Sequence, residues 1–119
     1  MGTRSLGDTL VEHWNGSAWS AVPSPNVTGD NAQDHLFAVA AFSSSDVWAV
    51  GTVLQGFSTT STVTEHFDGS RWSLVGSPNV GQFDNQLLGI SGLPGGTLWA
   101  AGFSRSPSAT QTLILANQA

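Results

Sequence analysis

The chain of 119 residues contains no cysteine, no lysine and no tyrosine. Without cysteine there are neither disulfides nor thiolate metal sites, and stability must come from packing and hydrogen bonding. Without lysine, positive charge is confined to Arg4, Arg71 and Arg105, against six aspartates and two glutamates, for a net charge of −5. So few cations, and no basic cluster, leave no footprint for nucleic acid or for an anionic membrane surface. No apolar run approaches the roughly 18 residues of a membrane-spanning helix. The first eight residues also lack the apolar middle of a signal peptide. Charged residues amount to only 9% of the chain, so solvation falls to Ser, Thr, Asn, Gln and Gly, the composition of a turn-rich β protein.

What the chain does have is a repeat. Residues 12–27 read Glu-His-Trp-Asn-Gly-Ser-Ala-Trp-Ser-Ala-Val-Pro-Ser-Pro-Asn-Val, and residues 65–80 repeat them. The copies differ only at Trp14/Phe67, Asn15/Asp68, Ala18/Arg71, Ala21/Leu74 and Pro23/Gly76. The register extends further: Leu36-Phe-Ala-Val-Ala-Ala-Phe aligns with Leu87-Leu-Gly-Ile-Ser-Gly-Leu, and Val47-Trp-Ala-Val-Gly51 with Leu98-Trp-Ala-Ala-Gly102. The second copy is shorter by two residues, placed most simply in the polar loop after Thr28. A third partial copy begins at Thr112, which takes the place of Thr9 and Thr62. A period near 50 residues is that of propeller blades.

Each repeat holds four strand-like runs. The first, 36–42 or 87–93, is nearly continuous apolar sequence and reads as a strand buried on both faces. The second, 47–51 or 98–102, follows a turn at 43–46 or 94–97. The third and fourth flank Asn15-Gly16 or Asp68-Gly69, dipeptides suited to a tight hairpin because both residues tolerate positive φ. The expected class is therefore all-β, with blades of four antiparallel strands, two to the chain. Residues 9–22 are expected to form an outer hairpin that completes a blade in trans through its fourth strand, 19–22, with 36–75 the first full blade and 87–116 the strands of the second. No stretch has helical periodicity.

The order apolar strand, turn, Asp46-Val-Trp-Ala-Val-Gly51, variable loop, Val63-Thr-Glu-His-Phe-Asp68, then Trp72 and Val75 resembles the kelch repeat, and most closely a kelch-like bacterial propeller with a Trp-Ser-x-Val-x-Ser-Pro-Asn signature. The likeness covers nearly the whole chain, although the usual double glycine is Gly51-Thr52 and Gly102-Phe103 here. The resemblance implies a protein-binding platform, a sugar binder or a scaffold, and it implies architecture more than activity.

Two blades are too few to close a propeller of roughly four to eight. The end blades would leave apolar faces in water, so the chain is expected to assemble with itself head to tail into a cyclic homo-oligomer, a trimer in preference to a tetramer. Thr9–Trp14 of one copy and Thr112–Ala116 of another then compete for one third-strand position. A truncated or engineered piece of a longer propeller is the alternative that the mid-blade start suggests.

Candidate ligand-binding residues are Glu12, His13, Trp19, Glu65, His66 and Trp72, which recur in step. Paired carboxylates can perform acid/base chemistry. By alternation, however, Glu12 and Glu65 share the apolar face, where a carboxylate accepting hydrogen bonds from a neighbouring blade is the simpler reading. His13 and His66 point to the opposite face. Trp19, Trp48, Trp72 and Trp99 suit either interblade packing or stacking on sugars. The Glu-plus-Trp pairing is similar to that of two-blade, trimeric fucose-binding lectins, whose arginine has no counterpart in Trp48-Ala-Val or Trp99-Ala-Ala. Asp30, Asp34 and His35 form a loop cluster, read as solvated. No catalytic signature surrounds any serine, so neither an enzyme, a metal nor a cofactor is expected, and the partner is the chain itself, with a glycan or a protein beyond it.

Overall fold

The computed structural model describes residues 7–27, 32–55, 59–94 and 96–117. Among them are nine strands and no helix. Strands β1 (Val11–Trp14) and β2 (Trp19–Val22) form a two-stranded sheet. Strands β3 (Gln33–Ser43), β4 (Asp46–Gln55), β5 (Thr59–Phe67) and β6 (Trp72–Val75) form a four-stranded meander in chain order. Strands β7 (Asp84–Gly92), β8 (Leu98–Ser106) and β9 (Ala109–Asn117) form a three-stranded one. All these pairings are antiparallel. The chain's own β9 pairs with β8 from Leu98↔Asn117 to Ser106↔Ala109, so the third-strand position is taken in cis.

The strands are longer than the apolar runs alone indicate, because Thr- and Ser-rich flanks such as Thr59–Thr62 extend the ladders. The hairpin loops are wider than the two-residue turn expected from Asn-Gly and Asp-Gly. Pairing stops at Trp14↔Trp19 and Phe67↔Trp72. Asn15 Oδ1 accepts the N–H groups of Ser17 and Ala18, and Asp68 Oδ1 those of Ser70 and Arg71, which closes a four-residue loop. Among the described glycines, Gly16 and Gly69 have positive φ.

The first strand of each repeat is not buried on both faces. In β3, Phe37 and Val39 are exposed, because the cleft between them and Leu10–Glu12 of the hairpin side stays open, and Leu88 in β7 is exposed as well. A matching irregularity marks both copies, where the register shifts between Leu36 and Ala38 against β4 and between Leu87 and Gly89 against β8. There the partner strands come so close that a Cβ on Gly51 would lie 1.8 Å from the His35 carbonyl oxygen, and one on Gly102 1.8 Å from that of Gln86.

Among the described residues two apolar clusters form the core. Ala32, Val53 and Val63, with Val27 and Leu36, lie on the hairpin side of the four-stranded sheet. Val50, Leu87 and Leu113, with Ala38, Ile90, Ala100 and Leu115, join that sheet to β7–β9. Strand β7 packs against β3, β4 and β5, and the Thr52 hydroxyl crosses the join to donate to the Asn85 carbonyl at 3.0 Å.

Candidate functional site

The doubled segment builds a clasp. In the first copy, Thr9 N donates to Asn26 Oδ1 at 2.6 Å and the Thr9 hydroxyl lies 2.7 Å from that of Ser24. In the second, Thr62 N donates to Asn79 Oδ1 at 2.6 Å and its hydroxyl lies 2.7 Å from that of Ser77. Each Thr hydroxyl also approaches the Pro25 or Pro78 carbonyl at 3.3 Å. Ser-Pro-Asn thus ties the chain leaving the fourth strand to the start of the third, a role that the sequence signature carried without revealing.

The six candidate residues separate. Glu12, His13 and Trp19 are exposed on the hairpin, opposite Ala21, Ser20 and Trp14. Their counterparts are enclosed: Glu65 is buried opposite Ala49 and Leu74, and Trp72 is buried with its ring 5.5 Å from that of Phe67. Trp19 and Trp14 make the same ring pair at 5.7 Å in the open. His66 lies on the other face of β5, its ring 4.3 Å from that of Trp48 and its Nε2 2.9 Å from Asp46 Oδ1, which also accepts from Trp48 Nε1 at 3.0 Å. Trp48 is thereby half-buried, while Trp99 remains exposed.

Glu65 carries the site's electrostatics. Neither carboxylate oxygen has a hydrogen-bond partner among the described residues, contrary to the expectation that a neighbouring backbone or indole supplies one. Burial, reinforced by the charge of Asp34, pushes its pKa up to about 7. Sequence reading placed Asp34 in a solvated cluster, yet it is buried on β3. Its Oδ1 accepts the Val27 N–H at 2.8 Å, while Oδ2 is buried without a partner. Burial raises its pKa against that hydrogen bond, with Asp8 adding to the rise and His35 opposing it. Asp30, the third member of that loop cluster, lies outside the described residues, and His35 is exposed. Among the described residues no group of three or more His, Asp or Glu side chains gathers to hold a metal ion.

The signal that marks Asp34 is the repeat itself. Its counterpart Asn85 accepts the Gly81 N–H through Oδ1 and donates through Nδ2 to the Thr60 and Gly81 carbonyls. A carboxylate in that position has nothing to donate unless it keeps its proton. Compared with known proteins, the chain matches no family model, no curated protein and no solved structure.

Proposed function

We propose that the chain is a kelch-like β-propeller unit without enzymatic activity that closes a ring by self-association, three copies in preference to four, and serves as a binding or scaffold module. One observation carries this reading: the surfaces that pack inside the chain recur bare at its two ends. Val39, opposite Ala49, and Ile90, opposite Ala100, hold the same register position. Ile90 packs into the cluster between two sheets, whereas Val39 is 65% exposed. At the other end Trp99 and Ala101 take the positions of Trp48 and Val50, and Trp99 is 54% exposed beside an equally open Ile114. Each large apolar side chain moved from water into such a join contributes about 1.5–3 kcal/mol. A head-to-tail contact between copies would reproduce the packing that the chain already uses once. Native mass spectrometry is expected to find three or four copies, and a stable folded monomer at micromolar concentration would sink the reading.

The exposed Trp14 and Trp19 pair favours a second reading, a lectin-like sugar platform. Binding on a glycan array that is lost in Trp14→Ala would support it, and an array without hits would remove it.

A further inference from the structure

Strand β6 supplies three things to the four-stranded sheet. It pairs with the outer edge of β5 from Phe67↔Trp72 to Thr64↔Val75. It buries Trp72 on the face that carries Val47 and Ala49. Beyond it, Ser77 and Asn79 clasp Thr62.

The three-stranded sheet has the receiver for each of these and, among the described residues, no fourth strand. Strand β9 runs nine residues without a charge, a proline or a bulge, whereas β2 and β6 are edges of four residues. A long, uncharged edge is the kind that pairs with another strand. Inside that edge lies a cleft of about 240 Å³, lined by Leu98, Ala100 and Leu115 and, across it, Trp48 and Val75. Leu98 faces Asn117 in the ladder as Val47 faces Phe67. A residue paired with Asn117 would therefore project into the cleft, as Trp72 projects beside Val47. Finally, Thr112 lies opposite Phe103 as Thr62 lies opposite Thr52. It is exposed, and its hydroxyl has no hydrogen-bond partner among the described residues.

We propose that this edge is the docking site for residues 19–27 of a second copy, a proposal that rests on the self-association reading above. That segment, Trp-Ser-Ala-Val-Pro-Ser-Pro-Asn-Val, carries the indole, the short strand and the clasp in the spacing of residues 72–80. In its own chain it holds Thr9 and pairs with β1, but leaves Trp19 64% exposed. The edge that β6 turns to β5 is the one that β2 turns to β1, so the segment must leave β1 to dock with its indole inward. A two-stranded sheet is marginal on its own, and the exchange replaces β1 by β9 and Thr9 by Thr112 while adding the burial of Trp19. Strand exchange between identical copies costs little for this reason.

The test uses the full chain and a fluorescein-labelled decapeptide of residues 18–27, read by fluorescence anisotropy. Saturable binding is expected, weakened about tenfold or more by Ala at the peptide's Trp. Thr112→Val in the chain should weaken the parent peptide severalfold and leave a peptide with Ala in place of the first Ser after Pro unaffected, since both changes remove one contact. Absence of binding, or equal binding of the peptide lacking Trp, overturns the proposal. If the copies associate and the peptide does not bind, the docking strand fails and self-association stands. If the peptide binds a chain that stays monomeric, the docking site stands and ring closure fails.

Discussion

Glu65 and Leu115 hold the same place in successive sheets, Glu65 opposite Ala49 and Leu115 opposite Ala100. Leu115 joins the apolar cluster around Leu87, whereas Glu65 takes two unpartnered oxygens into the equivalent space. Its pKa rises from an ordinary 4.5 to about 7. The folded state therefore holds a proton that the unfolded state releases, and the stability present below about pH 4.5 is lost as pH climbs through 7. A rise of that size corresponds to a penalty of about 3 kcal/mol at pH 8. The urea midpoint is expected to fall between pH 5 and pH 8 for the parent chain. In Glu65→Leu the fall should shrink and stability at pH 8 should rise by about 1–3 kcal/mol. An unchanged pH profile in the variant would show that Glu65 is solvated.

Asp34 and Asn85 form a second such pair, and here the neutral copy shows what the acidic one lacks. Asn85 donates two hydrogen bonds from Nδ2, while the corresponding Asp34 Oδ2 is bare. Asp34→Asn restores a donor and removes a buried charge, so it should stabilise the chain at pH 8 by about 1–3 kcal/mol. Removing that charge should also lower the pKa of Glu65, because Asp34 contributes to its rise. Denaturation at pH 8 checks the first effect. The second appears as a smaller stability loss that is complete at a lower pH.

The strand pattern was legible because it is periodic. The repeat at 12–27 and 65–80, the alternation along 63–67 and the Asn-Gly and Asp-Gly dipeptides act locally, and local chemistry survives in one dimension. The all-β class and the strand order follow from them. Burial did not follow, because it depends on which sheet lies over a residue: Glu12 and Glu65 are the same residue in the same local sequence, one exposed and one enclosed. Asp34 was missed for a related reason. Its loop neighbours Asp30 and His35 look solvated, and only alignment with Asn85 places it in a buried hydrogen-bonding position. The pairing of Ser-Pro-Asn with Thr9 and Thr62 spans 15–17 residues, beyond the reach of periodicity.

Gly51 offers a sharp contrast with Gly76. An added Cβ at Gly51 meets the His35 carbonyl at 1.8 Å, with no flexible side chain to move aside, whereas at Gly76 nothing lies within 4 Å. Gly51→Ala should cost about 3 kcal/mol or more and broaden or abolish the unfolding transition, because the β3–β4 ladder must separate. Gly76→Ala should stay within about 0.5 kcal/mol of the parent chain. Thermal unfolding followed by circular dichroism separates the two, and equal midpoints would mean that the ladder relaxes around the bulge without cost.

The clasp makes a prediction at a single amide. Thr62 is buried and its N–H is satisfied by Asn79 Oδ1, while Thr9, in the same arrangement with Asn26, is only half-buried. Deleting the acceptor strands a buried donor in the first case and one that water can reach in the second. Asn79→Ala should therefore cost about 1–3 kcal/mol and Asn26→Ala less. Hydrogen exchange locates the effect: the Thr62 amide should exchange about tenfold or more faster in Asn79→Ala, relative to amides in the middle of the β4–β5 ladder. If Thr62 keeps its protection, the Ser77 hydroxyl or a rearranged backbone carbonyl has taken the place of Asn79, and the repeated asparagine would be a turn former instead of a clasp.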